Sequence, residues 1–261
     1  MNRWLDRLGE RPQIGMWIAS GNAYTAEICA GSGLDWLMLD QEHVPNDLRS
    51  TLAQLQATAA YPVEVLVRPA SFDAVAIKQL LDLGVTNLIV PMIESVDEAR
   101  AVVAATRYPP AGIRGVGSAL ARASRWNRTP DYLTMADTLI SVTVQVESAA
   151  GLEALPAILA VDGIDGVFIG PADLAASLGR LGQPEHPDIV ATIERAIAEI
   201  AESGKAPGVN AFNETIARRY LAAGATFVLV GADVTVLARG SEALAKQHGT
   251  PTRSSARETF I

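Results

Sequence analysis

The chain has 261 residues, 49% of them apolar and 19% charged, and 21 Lys and Arg against 29 Asp and Glu give a formal net charge of −8. That acidic balance excludes nucleic-acid recognition through a basic surface, and the one cysteine, Cys29, excludes an internal disulfide framework and suits a reducing compartment. The charged opening segment is no signal peptide and no stretch reaches the roughly 18 apolar residues of a membrane span, so the expectation is a soluble, cytoplasmic protein with no membrane partner.

Taken in chain order, short apolar runs predict strands at 14–19, 36–40, 63–68, 87–91, 141–147, 166–170, 206–211 and 227–231. Helical spacing predicts helices between them at 48–59, 73–83, 96–106, 152–160, 189–202 and 214–223. Ser95 with Glu98 reads as a capping box, Asn213 as an N-cap, and Gly84 and Gly224 as C-terminal stops. From 107 to 139 the chain is arginine-rich and irregular, with a short extra strand expected at 112–117. The segment from about 249 onward is polar and reads as a tail. No shift in composition marks a boundary, so residues 1–261 are expected to form one domain.

The strands are apolar without clear alternation, as in a parallel sheet buried on both faces. Eight of them interleaved with helices over about 250 residues fit the α/β class and a (β/α)8 TIM barrel. A doubly wound open sheet fits less well, because Ser20-Gly21-Asn22 stands where a glycine-rich dinucleotide turn would follow the first strand.

In such a barrel chemistry belongs at the C-terminal strand ends, and there this sequence turns polar. Strand two ends in Asp40 and runs on through Gln41, Glu42 and His43. Strand three ends in Arg68, strand five in Gln145-Val146-Glu147, and strand six in Gly170-Pro171-Ala172-Asp173. Glu147 and Asp173 on neighbouring ends are metal candidates: a divalent cation relieves their repulsion, and oxygen ligands favour Mg²⁺ or Mn²⁺. Pairing of each with an arginine is the alternative. Pro171 suits a first helical position, with the N–H groups of Ala172 and Asp173 open to an anion. Arg68 offers a permanent cation to a developing oxyanion. His43, the one histidine at a strand end, has the pKa range of a general base, with Asp40 three residues earlier as its orienting partner.

In order along the chain, Leu39-Asp40-Gln41-Glu42-His43-Val44-Pro45-Asn46-Asp47, Val67-Arg68-Pro69, Val90-Pro91-Met92, Arg114-Gly115, Gln145-Val146-Glu147 and Gly170-Pro171-Ala172-Asp173-Leu174 resemble the HpcH/HpaI aldolase family of class II pyruvate aldolases. The resemblance implies a phosphoenolpyruvate/pyruvate-type (β/α)8 barrel assembled as a homo-hexamer, a trimer of dimers, with the C-terminal helix exchanged between subunits. It implies Glu147 and Asp173 as metal ligands for Mg²⁺, Mn²⁺ or Co²⁺, with no organic cofactor. His43 corresponds to the general base, Asp40 to its dyad partner and Arg68 to the enolate-stabilising cation. Gln145, Ala172 and Asp173 correspond to substrate contacts, beside Gly170 and Pro171, and Trp17 to an aromatic lining the site. Asp82, which spacing alone reads as a surface acid at a helix end, corresponds to an aspartate that reaches the histidine of an adjacent subunit. Two positions depart from the pattern: Gln41, beside the base, and Asn210, on strand seven. Both bear on the acceptor aldehyde.

The expected reaction is reversible cleavage of 4-hydroxy-2-oxo acids to pyruvate, or a hydroxypyruvate-like 2-oxo acid, and an aldehyde, with oxaloacetate decarboxylation as a side activity. A CoA-ester lyase of the citrate-lyase type and a non-catalytic 2-oxo-acid binding protein are the alternatives. Lysine is scarce: Lys78, Lys205 and Lys246 are the three, and the other 18 cationic side chains are arginine. None of the three falls at a predicted strand end, so Schiff-base chemistry is not expected.

Overall fold

The computed structural model describes residues 2–249; the polar tail expected from about 249 lies almost wholly outside them. In chain order the elements are α1 (Arg3–Leu8), β1 (Gln13–Ile18), α2 (Ala23–Ala30), β2 (Trp36–Asp40), α3 (Leu48–Thr58), β3 (Glu64–Arg68), α4 (Ala74–Asp82), β4 (Asn87–Val90), α5 (Val96–Thr106), α6 (Tyr132–Leu139), β5 (Ser141–Val146), α7 (Ala149–Leu159), β6 (Gly166–Ile169), α8 (Pro171–Ser177), α9 (Pro187–Glu202), β7 (Ala206–Asn210), α10 (Glu214–Ala222), β8 (Phe227–Ala232) and α11 (Asp233–Gln247). The eight strands are parallel and close in sequence order into a barrel, β8 pairing with β1. This is the (β/α)8 barrel that the strand count predicts.

Two layers of apolar packing hold it. Strand residues facing outward join the helices in one continuous core that includes Leu39, Val67, Val90, Val144 and Ile169. Inside the barrel Trp4, Trp36, Met38, Leu66, Ile89, Phe168, Phe227 and Leu229 form the second. Size alternates across this interior. A side chain at Gly15 would enter the Trp36 indole and one at Gly208 the Phe227 ring, so two bare positions make room for two large aromatics.

Helix α1, which the sequence reading missed, caps the N-terminal end of the barrel. Its Trp4 is fully buried against Trp36 and Phe227, with ring centroids 5.7 and 5.6 Å away. Asn2 caps the helix and donates to Asn87 Oδ1 at 3.0 Å and to the Leu139 carbonyl at 2.8 Å. The floor is therefore closed by an aromatic plug and a ring of polar contacts.

The predicted caps form, with one refinement. Ser95 accepts from the Glu98 N–H, but Glu98 reaches back to the N–H of Glu94 rather than of Ser95. Gly84 and Gly224 adopt φ of +91° and +111° behind α4 and α10, where a left-handed residue ends a helix. The extra strand expected at 112–117 does not form. Ile113 and Arg114 instead donate to the Ala104 and Arg107 carbonyls at 2.8 and 2.9 Å, so the segment folds back on the end of α5 and leaves the sheet. Among the described residues no helix is long and apolar enough to cross a membrane.

Candidate active site

Residues 36, 38 and 40 of β2 alternate into the barrel, as do 64, 66 and 68 of β3, and the register sets Asp40 directly beside Arg68. Both are buried. Arg68 donates through Nε to Asp40 Oδ1 at 2.8 Å and through Nη2 to Oδ2 at 2.7 Å, a bidentate pair. Its Nη1 lies 2.8 Å from Glu42 Oε2 and 3.4 Å from Gln145 Oε1. The contact with Glu42 is a charge contact outside good hydrogen-bond alignment, so that buried oxygen keeps unused acceptor capacity. The guanidinium stands over the Trp17 ring, 5.4 Å from its centroid. Burial works against its charge, but the Asp40 hydrogen bonds and the fields of Asp40, Glu42 and Glu147 outweigh it and hold Arg68 above its ordinary pKa.

Gln145 bridges the two halves of the site, accepting from Arg68 and donating to Glu147 Oε2. The other oxygen of Glu147 accepts from the Met92 N–H at 3.0 Å. Met92 has a left-handed φ of +55°, unusual for a side chain of its size, so backbone strain is spent on aiming one donor at this carboxylate. Glu147 also needs Gly170. A Cβ there would run into Glu147 Oε2 and stand 2.9 Å from Gln145 Nε2. Burial, with smaller contributions from Glu42 and Asp173, drives the Glu147 pKa up to about 7. Burial likewise raises Glu42, against the pull of Arg68.

Asp173 sits exposed in the first turn of α8, with Pro171 opening the helix as the sequence suggests. Its field reaches both Glu147 and Glu42. A buried carboxylate with a raised pKa, an unsatisfied Glu42 oxygen and a bare glycine cradle together suit a hard divalent cation at Glu147 and Asp173. Two carboxylates leave the rest of its oxygen shell to water and substrate.

The structure corrects two expectations and relocates a third. Asp40 does not orient His43: Arg68 and the Glu42 N–H take its oxygens. His43 lies past the strand end, 64% exposed, with Nε2 3.7 Å from Glu42 Oε2. Gln41 does not shape the pocket either, because it points outward and donates to Thr51 at 2.9 Å. Asp82 ends α4, close before β4 begins, and so lies toward the N-terminal end of the barrel, away from this site. There it accepts from Arg114 at 3.1 Å, and Arg114 is fully buried against Tyr108 and Tyr132.

Four residues to which sequence reasoning gave no role join the site: Glu42, Met92, Phe212 and Asp233. Glu42, two residues past the end of β2, continues the parity of Asp40, a signal that was available. Phe212 continues the inward series 206, 208, 210 and packs edge-on against Trp17 at 6.0 Å. Asp233, buried where β8 passes into α11, accepts from the N–H groups of Ala19 and Ser20 at 2.8 and 3.2 Å and pins the exit of β1.

Comparison with known proteins shows the family. Residues 13–240 match the family model described as HpcH/HpaI aldolase/citrate lyase. A Salmonella typhi protein named 4-hydroxy-2-oxo-heptane-1,7-dioate aldolase is 58% identical over 245 residues, covering 94% of this chain and 93% of its own. Among solved structures, an HpcH/HpaI aldolase/citrate lyase family protein from Burkholderia cenocepacia superposes with a TM-score of 0.91 at 39% identity, covering 95% of this chain and all of that one. An HpcH/HpaI aldolase from Desulfitobacterium hafniense gives 0.86 at 26% identity, with 95% and 96% covered. With its closed barrel, its polar strand ends and a match spanning most of its length, the chain belongs to the HpcH/HpaI aldolase/citrate lyase family.

Proposed function

We propose that this protein is a metal-dependent class II aldolase that cleaves 4-hydroxy-2-oxo acids reversibly to pyruvate and an aldehyde. The observation that carries the reading is the Glu147 carboxylate, seated on bare Gly170 and linked through Gln145 to Arg68, at the same barrel mouth as Asp173. Glu147 and Asp173 would hold Mg²⁺, Mn²⁺ or Co²⁺. When bound, the cation supplies Lewis-acid polarisation of the substrate keto group.

The protein's own groups do the rest. Gln145 and the opening N–H groups of α8, at Ala172 and Asp173 beside Gly170 and Pro171, receive the substrate's carboxylate end. His43 takes the C4 hydroxyl proton as the C3–C4 bond breaks and the C4 oxygen becomes the aldehyde carbonyl. The bonding pair passes to C3, giving the enolate of pyruvate, and Arg68 holds its fixed charge against the enolate oxygen. Protonation at C3 completes pyruvate. Asp40 serves this chemistry by fixing Arg68.

Assembly belongs to the same reading. Of the fifteen residues of α11 only Asp233 is buried, while Val236 and Leu237 are 65% and 72% exposed. That supports exchange of this helix between subunits of a homo-hexamer, which would also bring Asp82 of one copy toward His43 of another. We place the protein in the cytoplasm. The test is release of pyruvate from 4-hydroxy-2-oxo acids by the purified protein supplied with each metal in turn. Absence of turnover with all three metals overturns the reading.

A further inference from the structure

At the barrel mouth the buried Oε2 of Glu42 has no hydrogen-bond partner among the described residues. Two donor groups flank it, Arg68 Nη1 at 2.8 Å and His43 Nε2 at 3.7 Å. An acceptor closed off from water between two such groups calls for a role. The turn that carries it is pinned. The Glu42 N–H donates to Asp40 Oδ1 at 2.9 Å, the Gln41 N–H to the Arg68 carbonyl at 2.9 Å, and Asn46 Nδ2 to the Asp40 carbonyl at 2.8 Å. Gln54 Nε2 holds Asn46 Oδ1 in turn, at 2.9 Å. The His43 ring, by contrast, makes no hydrogen bond to a described residue, and among those residues Glu42 is the one carboxylate in ion-pair range of it.

We infer that Glu42 is the positioning residue for His43: its Oε2 receives the Nε2–H of the ring and leaves Nδ1 as the nitrogen that takes the C4 hydroxyl proton. Because Arg68 lies against the same oxygen, Glu42 also sets the base at a fixed separation from the cation that holds the enolate. The inference rests on the aldolase reading and goes further by naming the orienting carboxylate that Asp40 does not provide.

A neutral imidazole has one donor and one acceptor nitrogen, and the partner of one decides the duty of the other. An ionised carboxylate only accepts, so the nitrogen against Glu42 is the one that bears hydrogen. At 3.7 Å the pair is a charge contact. It shortens to N–H···O as substrate fills the mouth, the usual course for hydrogen bonds that support catalysis. When His43 takes the hydroxyl proton its ring becomes a cation, and the adjacent carboxylate steadies that charge. The two neighbours of Oε2 depend on it unequally. Without Glu42, Arg68 keeps both hydrogen bonds to Asp40, whereas His43 keeps no carboxylate. Loss of Glu42 therefore falls on the base before it falls on the cation.

The experiment reads the ratio of two kcat values, cleavage of 4-hydroxy-2-oxopentanoate over decarboxylation of oxaloacetate, since only cleavage needs the base at the C4 hydroxyl. Glu42→Leu should lower this ratio about 10–100-fold, the scale of removing a carboxylate behind a histidine. Glu42→Gln, which keeps an acceptor oxygen without the charge, should lower it less. In a His43→Ala background the added Glu42→Leu should leave the ratio where it stands, because no ring remains to orient. A spectroscopic readout accompanies the kinetics. In the wild-type protein with pyruvate and Mg²⁺, ¹⁵N-labelled histidine should show a slowly exchanging, downfield proton on His43 Nε2, and Glu42→Leu should lose it. An unchanged ratio in folded Glu42→Leu, an undiminished loss on top of His43→Ala, or a signal that vanishes in Asp82→Asn but survives in Glu42→Leu overturns the inference. Should Glu42→Leu not fold, Glu42→Ala is read in its place. If the wild type cleaves the hydroxy acid and any of these contrary results appears, the Glu42 assignment alone falls. If the wild type cleaves no 4-hydroxy-2-oxo acid with any of the three metals, the aldolase reading falls and takes this inference with it.

Discussion

Arg68 and Asp40 meet edge to edge at the end of adjacent strands, two hydrogen bonds of 2.8 and 2.7 Å between groups that are each less than a twentieth exposed. The pair fixes the guanidinium plane, so that Nη1 is left to face Glu42, Gln145 and the cavity. Arg68→Ala should therefore act twice. It strands the buried Asp40 carboxylate, at about 3–5 kcal/mol of stability, and it removes charge from the enolate. Aldol cleavage and oxaloacetate decarboxylation should both collapse, while Arg68→Lys, lacking the planar fork, restores only part of each. Calorimetric unfolding and kcat for the two reactions check this; loss of one reaction alone would show that Arg68 is not the shared stabiliser.

His43 should separate the two reactions. Decarboxylation needs no deprotonation at a C4 hydroxyl, so His43→Ala should lower aldol turnover by roughly 10²–10⁴ and decarboxylation far less. Since the side chain is 64% exposed, the fold should tolerate the change. Equal loss of both activities in a protein that still binds metal would remove His43 from the base role.

Gly170→Ala tests the cradle under Glu147. The added methyl group would displace the carboxylate from its place beside Gln145. Metal affinity, measured by calorimetric titration, should fall about 10–100-fold, the usual range for disturbing the surroundings of a ligand. Wild-type affinity in this variant would mean that Glu147 does not hold the metal.

A carboxyl with a pKa near 7 must lose its proton before it can ligate. Below that value apparent metal affinity should rise about tenfold per pH unit, and above it level off. The sign for stability runs the opposite way. Because the folded-state pKa lies above the ordinary 4.5, the metal-free fold loses stability as pH climbs from about 4.5 to 7. Glu147→Gln should flatten that part of the thermal-unfolding profile. An affinity independent of pH between 5.5 and 7 would contradict the assignment.

No lysine can supply a Schiff base at this mouth. Lys78 lies within α4, Lys246 within α11, and Lys205 precedes β7 with Nζ on the Val161 and Ile164 carbonyls at 3.2 and 2.6 Å. Borohydride treatment with pyruvate should leave the protein mass unchanged. A trapped adduct on any of the three would overturn class II chemistry.

The strands and their polar ends were legible because a parallel barrel buries both faces of each strand, which leaves uninterrupted apolar runs that stop where the site begins. Helices α1, α2 and α6 were not. Six residues with three charges conceal α1, whose hold on the barrel is one tryptophan, and the Ala-Tyr-Thr-Ala-Glu-Ile-Cys-Ala of α2 carries no apolar stripe. Partnership was harder still. Asp40 and His43 are three residues apart in sequence, whereas Asp40 and Arg68 are brought together by strand register, which no local pattern announces. Met92 stands in the Val90-Pro91-Met92 segment, but its role could not be read there because its contribution is a backbone N–H set by a left-handed turn.

The plug of α1 has a kinetic corollary. With Trp4 sealing the floor, everything that enters the barrel leaves through one mouth. Arg68 and Glu147 lie deep in that mouth and are nearly inaccessible, while Phe212 stands at the rim, half exposed. Two products stacked along such a blind passage depart in a fixed order, the rim-side aldehyde first and pyruvate second. In reverse, pyruvate binds first, and a pyruvate-loaded protein is the resting form whenever pyruvate is abundant. Product-inhibition patterns then follow from architecture: pyruvate competes with the 4-hydroxy-2-oxo acid for the empty barrel, and the aldehyde does not.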